Sequence, residues 1–337
     1  MKVLIIRLSS IGDILLTTPL VRCVKQQLHG CVLHFLTKPA MRDLLACNAN
    51  VDKVLTLGDS ISQTVTMLDE QGPYDYIIDL HNNHRSRMIR ARLNGKKLVY
   101  RKENLRKWLT IVTKRDLMSS RHVVDRYMRT VMPLGVSNDN KGLELALPHS
   151  LDAENFRKAT VGGISVDQLL SSPYAVVACG AQHATKRIPP VHIATLCSLM
   201  KVPVLLLGDG GDRSRLDSAG ATFGSNVVNL CGKTTLLESA ALIRDAAVVV
   251  APDSSMMHFA AAFHRPVVAV WGATVPQFGF AAYATPHIDC QVDTLHCRPC
   301  SRMGSERCPL GHFDCMHKQD WQRIASAAEK YISETTI

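Results

Sequence analysis

Ala247-Val248-Val249-Val250-Ala251-Pro252-Asp253-Ser254-Ser255-Met256-Met257-His258-Phe259-Ala260-Ala261-Ala262-Phe263 reads as a buried strand that breaks at Pro252 and restarts as a helix around Ser254 and Ser255. A strand that ends in a small polar cluster and feeds a helix aims the free N–H groups of that helix past the strand's carboxyl end. Such a helix start is an anion site, most often for phosphate. His258 follows Ser254 by four residues, which places both on one helix face. The next apolar run, Pro266 to Trp271, ends in Gly272-Ala273-Thr274, a second small-residue loop on the same edge. Together these features predict a nucleotide-diphosphate pocket.

Outward from this segment, strand-like runs alternate with helix-length segments. Val3–Ile6, Val32–Leu36, Lys53–Leu57, Tyr76–Leu80 and Lys97–Tyr100 form one set; Ala175–Ala178, Val202–Leu207, Val227–Leu230, Ala247–Val250 and Val267–Trp271 form a second. The alternation predicts an α/β protein with two doubly wound parallel sheets that bind ligands at the carboxyl ends of their strands. A length of 337 residues exceeds one ordinary core and fits two domains. The apolar content of 46% with only 5% aromatic residues describes an aliphatic interior, as in sheets buried on both faces. Gly162-Gly163 and Ser171-Ser172-Pro173 put the linker near Leu147–Ser172, giving domains at 1–158 and 159–316 and a C-terminal helical segment at 317–337.

No apolar run reaches the ~20 residues that span a bilayer, and the first one is cut by Arg7 after four residues, so a cytoplasmic protein is expected. The net charge of +10 is concentrated: Arg85, Arg87, Arg90, Arg92, Lys96, Lys97, Arg101, Lys102, Arg106 and Lys107 lie together with Glu103 as their only acid. This run is either a solvated face or a surface for a polyanion such as nucleic acid, an acidic membrane or a phosphorylated glycolipid.

Four motifs in order carry a resemblance: Met1-Lys2-Val3-Leu4-Ile5-Ile6-Arg7-Leu8-Ser9-Ser10-Ile11-Gly12-Asp13, Thr185-Lys186-Arg187-Ile188-Pro189, Gly232-Lys233-Thr234-Thr235-Leu236, and Asp253 to Thr274. The chain resembles glycosyltransferase family 9, the ADP-heptose:lipopolysaccharide heptosyltransferases, from end to end. The resemblance implies a GT-B fold, two Rossmann-like domains facing a cleft, with the last helix, Gln319–Ser333, packed back on the first domain. It also implies inverting transfer of a heptosyl group from ADP-heptose to a sugar hydroxyl of an anionic, lipid-linked lipopolysaccharide core acceptor of the lipid A–Kdo type. That acceptor lies at the inner membrane surface, the chemistry requires no cofactor, and no nucleic acid is expected as a partner.

Asp13 is the expected general base. Spacing alone favours a capping box with Ser10, but Asp13 falls on the family's catalytic aspartate, and a positioned carboxylate contributes roughly 10²–10⁴-fold. Arg7, Ser10, Arg85 and Arg87 are the acceptor-side candidates, Arg7 balanced against a simple strand-end arginine. For the departing diphosphate, fixed positive groups and helix dipoles are needed; the candidates are the Ser254, Ser255 and Met256 amides, His258 and Lys186. Lys186 matches the lysine of the family's Lys-Arg-Trp-Pro, although Ile188 stands in place of the Trp. Ala181 and Gln182 offer one polar side chain where some relatives offer hydroxyls, which weakens side-chain phosphate contacts there. Asp253 is assigned to sugar hydroxyls, with Ser254 as the helix cap. Asp212, in Gly208-Asp209-Gly210-Gly211-Asp212, is either a ribose ligand or a solvated acid in a glycine-rich turn.

Of 11 cysteines, Cys297, Cys300, Cys308 and Cys315 have spacing suited to structural Zn²⁺ or another thiophilic metal, with unligated thiols as the alternative. The first strand is not followed by Gly-x-Gly-x-x-Gly, which argues against a dinucleotide oxidoreductase. Two alternatives stay open on the sequence: a GT-B transferase with another nucleotide sugar, and a basic nucleic-acid-binding protein with a metal-binding Cys loop. The second is weakened because only Tyr100 and Trp108 interleave with the basic run, where base-stacking proteins place aromatics.

Overall fold

The computed structural model describes residues 1–335 and divides into two compact units. The first holds Met1–Glu103 and Arg121–Ala146. Its strands β1 (Lys2–Ile6), β2 (Val32–Thr37), β3 (Lys53–Thr56), β4 (Tyr76–Asp79) and β5 (Lys96–Val99) form one parallel sheet in the order β3-β2-β1-β4-β5. Val3 to Ile6 are fully buried because helices cover the central strand on both faces. The helix Thr18–Gln27 starts with Pro19 in its first turn, where a missing N–H costs nothing, and buries Leu20, Val21 and Val24. Its Arg22 makes a fork to Asp139 (Nε–Oδ2 2.7 Å) and reaches Glu144 (2.6 Å), which fastens the irregular segment around 138–145.

The second unit contains residues 104–120 and the chain from Leu147 onward. A small hairpin, β6 (Thr160–Val161) and β7 (Ile164–Ser165), turns at Gly162 and Gly163, whose φ values of +59° and +83° suit glycine. Six parallel strands follow: β8 (Ala175–Ala178), β9 (Val204–Leu207), β10 (Val227–Asn229), β11 (Val248–Pro252), β12 (Val267–Val270) and β13 (His287–Cys290). Their order is β10-β9-β8-β11-β12-β13. The strand order reverses between β1 and β4 in the first sheet and between β8 and β11 in the second, the positions where open α/β sheets bind ligands.

The ten strands read from the sequence are present with shifted ends. β13 was not expected, since an edge strand spelled His-Ile-Asp-Cys lacks an apolar run. The expected division at 158/159 is corrected: the second unit begins at Leu147 and takes residues 104–120 out of the first half of the chain. The last helix, Trp321–Thr335, is also corrected. Trp321, Ile324, Ala325, Ala328 and Ile332 are buried in the core of the second unit with Val177, Ile193, Leu196 and Val250. Its apolar stripe announces a core but does not specify which one.

Gly180, just past β8, is required by a close approach: a Cβ there would run into the Asp212 carboxylate, itself buried and fixed. Gly180→Ala is expected to cost about 1–3 kcal/mol in urea denaturation. Gly210→Ala, where a Cβ meets nothing within 4 Å, is expected to be nearly neutral; equal effects would refute the steric account.

Candidate active site

β1 delivers Arg7 and, one short turn later, the loop that starts the helix Ile11–Leu15. Arg7 Nη2 contacts Asp13 Oδ2 at 2.7 Å, and the same oxygen accepts from Ser10 Oγ (2.9 Å) and the Ser10 N–H (3.3 Å). These contacts all fall on Oδ2, and the Asp13 side chain keeps 23% of its surface open. Burial pushes its carboxyl up, but the Arg7 charge and the Ser10 hydrogen bonds outweigh it and hold Asp13 below the usual carboxylate range. Asp13 is therefore ionised at neutral pH and presents Oδ1.

Arg7 and Ser10, expected on the acceptor side, both hold the Asp13 carboxylate. The remaining Arg7 donors bind the carbonyls of Ser9 (2.9 Å) and Leu80 (2.6 Å), and its guanidinium lies 5.7 Å from the Tyr127 ring centroid. The Leu80 contact ties the end of β1 to the end of β4, so Arg7 closes the switch point. At the end of β4, buried Asp79 binds Arg90 (2.6 Å), Ser86 Oγ (3.0 Å) and the amides of His81 and Asn82, which shapes the turn into the helix His84–Arg92. Arg85 and Arg87 are exposed on that helix, Arg87 donating to Asn82 Oδ1 at 3.0 Å. His81 was missed by sequence reasoning. Burial, aided by the charges of Arg7, Lys102 and Lys38 against that of Asp13, pushes it down to about 4, so it stands as a neutral imidazole beside the candidate base. A single His after a strand carries no sequence signal of that environment.

The second switch point gathers Lys186, past β8, Asp253, past β11, and Thr274, past β12. Lys186 Nζ pairs with Asp253 Oδ2 at 2.6 Å, and Thr274 Oγ1 donates to the same oxygen at 2.7 Å. Burial raises the Asp253 carboxyl, while Lys186, the Thr274 hydroxyl and His258 lower it to a net position below the usual range. Thr274 is the contact sequence reasoning did not assign, although its small-residue loop was visible. Ser254 occupies the N-cap position of the helix Ser255–Ala262. The expectation that its side chain caps the helix is corrected: it makes no cap hydrogen bond, and its buried Oγ has no partner among the described residues. The amides at Ser255 and Met256 open this helix, and His258 is buried on its first turn. Arg187 holds the neighbouring loop through the carbonyls of Ala181 and Gln182.

Asp212 is corrected from ribose ligand to structural cap. It forms a reciprocal capping box with Asp209 (2.8 and 3.1 Å), pairs with Arg215 at 3.2 Å and is buried. The four-cysteine shell is also not formed: among the described residues no group of three or more His, Cys, Asp or Glu side chains is arranged to hold a metal. Cys300 Sγ turns to the Cys297 carbonyl at 3.2 Å. Arg298, between them, staples the loop by donating to the carbonyls of Gly272 and Thr274 (2.5 and 2.8 Å). Burial pushes the Cys315 thiol up to about 12; Arg298 opposes this, and Cys300, Cys308 and Cys297 add to it.

The sequence model of glycosyltransferase family 9 (heptosyltransferase) matches residues 68–310. The chain belongs to glycosyltransferase family 9. The lipooligosaccharide heptosyltransferase 2 of Haemophilus influenzae is 28% identical over 305 residues, covering 82% of this chain and 85% of that protein. The family 9 glycosyltransferase of Veillonella parvula superposes with a TM-score of 0.77 at 18% identity, covering 99% of this chain and 97% of that one. The Escherichia coli ADP-heptose lipopolysaccharide heptosyltransferase II superposes with a TM-score of 0.75 at 18% identity over the whole of both chains. The fold is thus GT-B, the protein is a glycosyltransferase, and its reaction is heptosyl transfer. Family membership displaces the nucleic-acid-binding alternative.

For this glycosyltransferase, Asp13→Asn is expected to lower turnover by about 10²–10⁴-fold with ADP affinity retained. A loss below about tenfold would remove Asp13 from the role of base. Arg7→Met removes the charge that holds the Asp13 carboxyl down. A depressed carboxylate stays ionised above its pKa and is lost only as pH falls through it, so the acidic limb of kcat/KM is expected to move to higher pH. An unmoved limb would mean that Asp13 does not govern it.

Proposed function

We propose that the enzyme moves a heptosyl group from ADP-heptose to a sugar hydroxyl of an anionic lipopolysaccharide core acceptor, with inversion. The observation that carries the donor side is the uncapped helix start at Ser254–Met256, with an orphaned buried hydroxyl, beside the Lys186–Asp253–Thr274 group. Free amides and an ammonium receive the negative charge that grows on the departing diphosphate, and His258 adds to them from the first helical turn. Lys186 is held by one contact to Asp253, so its other N–H donors serve phosphate. Asp253 Oδ1 is assigned to sugar hydroxyls.

On the acceptor side, Asp13 Oδ1 takes the proton of the attacking hydroxyl. The oxygen bonds to the anomeric carbon on the face opposite the diphosphate, the carbon–phosphate oxygen bond breaks, and ADP leaves. A carboxylate held low by Arg7 is a weak base, and this suffices because the hydroxyl becomes strongly acidic as its oxygen bonds to the sugar carbon. Exposed Arg85 and Arg87 are assigned to acceptor anionic groups. No described helix is long and apolar enough to cross a membrane, and the proposed place of work is the cytoplasmic face of the inner membrane.

Calorimetry on the purified protein is expected to give binding of ADP and none of comparable strength for UDP or GDP; preference for either of the latter would shift the donor to another nucleotide sugar. Lys186→Ala and His258→Ala are each expected to weaken ADP binding by ~1.5–3 kcal/mol. Unchanged binding in both would displace the pocket.

A structural metal on the Cys297/Cys300/Cys308/Cys315 loop requires the four sulfurs to draw together. The support for it is their spacing, and the neighbouring cysteines that help raise the Cys300 and Cys315 thiols above the usual range after burial. Elemental analysis of protein purified without chelator is expected to show about one metal ion per chain. Four titratable thiols and negligible metal would retire that element of the proposal.

A further inference from the structure

The helix Asn104–Thr113 is turned inside out. Lys107, Thr110 and Lys114, at intervals of three and four residues, face the body of the second unit. Lys107 Nζ lies over the rings of Phe278 (4.6 Å) and Phe280 (4.7 Å), and Thr110 is buried. Lys114, the left-handed residue that ends the helix, donates to the carbonyls of Pro299 (2.8 Å) and Cys297 (3.0 Å). The opposite face carries Leu105, Trp108 and Val112 with the same spacing, and these are 69, 52 and 59% exposed. A soluble helix places its apolar stripe inward and its lysines outward; here the cations are the anchors and the apolar stripe faces water. Exposed Arg106 lies on the helix next to Leu105, exposed Arg115 lies in the turn just past the helix end, and exposed Leu117 extends the apolar surface beyond the helix.

We propose that this helix docks the enzyme on an anionic lipid bilayer, lying flat with Leu105, Trp108 and Val112 among the acyl chains and Arg106 and Arg115 at the headgroups. Charge complementarity selects this occupant: exposed apolar residues including Trp, with exposed Arg106 and Arg115 close to them in sequence and a chain net charge of +10, match a surface that is apolar within and negative at its rim. The inference is independent of donor and acceptor identity, since none of these residues belongs to the proposed catalytic group.

The test is flotation of the full-length protein with vesicles of phosphatidylcholine alone or mixed equally with phosphatidylglycerol, with Trp emission recorded in parallel. Trp271 and Trp321 are already buried, so a blue shift reports Trp108. Binding and a blue shift with the anionic vesicles, absent with phosphatidylcholine, are expected. The triple change Leu105→Ser, Trp108→Ser, Val112→Ser and the charge reversal Arg106→Glu, Arg115→Glu are each expected to cut partition at least tenfold at unchanged thermal midpoint. Wild-type protein that stays with the lipid-free fraction, or variants that float equally well, would overturn the proposal. Self-association lost in the triple variant, without vesicle binding, would overturn it in favour of a second copy.

Discussion

Each half of this enzyme depends on keeping a carboxylate ionised at the carboxyl edge of a parallel sheet. Removing such a group from water favours its neutral form, and burial does push Asp13 and Asp253 upward. A cation reverses that in both places: Arg7, from the end of the same strand, for Asp13, and Lys186, from the neighbouring strand's loop, for Asp253. A hydroxyl, from Ser10 or Thr274, completes each group on the same carboxylate oxygen. In both groups the named contacts converge on Oδ2.

The two groups recur at equivalent places because the two sheets share an architecture. In each, the strand order reverses beside the first strand, and the loops leaving that strand and its new neighbour diverge to opposite faces. Arg7 bridges the reversal in the first sheet through the Leu80 carbonyl, and Lys186 and Asp253 bridge it in the second. Two positively charged devices are then divided by task. A guanidinium with its donors committed to Ser9, Leu80 and Asp13 fixes geometry and ionisation, whereas the Lys186 ammonium is a compact charge paired with Asp253.

Around the second sheet, stability is supplied by long side chains that reach backbone carbonyls. Arg298 holds Gly272 and Thr274, Arg187 holds Ala181 and Gln182, and Lys114 holds Cys297 and Pro299. These contacts satisfy carbonyls in loops that lack regular pairing, and they fasten the four-cysteine loop to the edge that carries Thr274. They also explain why residues 104–120 belong to the second unit despite their place in the chain.

The sequence alone determined the alternation of strands and helices, the break at Pro252, the helix start at Ser254 and the positions of Asp13, Lys186 and Asp253. These features depend on local periodicity and on residue types within one turn, and the family motifs fall on them. Tertiary structure alone decided which partner each residue took. Ser10-x-x-Asp13 and Asp209-x-x-Asp212 have the same spacing and both form capping boxes, yet the Asp13 carboxylate, paired with Arg7, stays partly open while Asp212, paired with Arg215, is closed in by burial. The amphipathic stripe of Trp321–Thr335 and the basic helix Asn104–Thr113 likewise left their destinations open. Burial and pairing join residues more than a hundred positions apart, and periodicity within a segment carries no information about which distant surface will receive it.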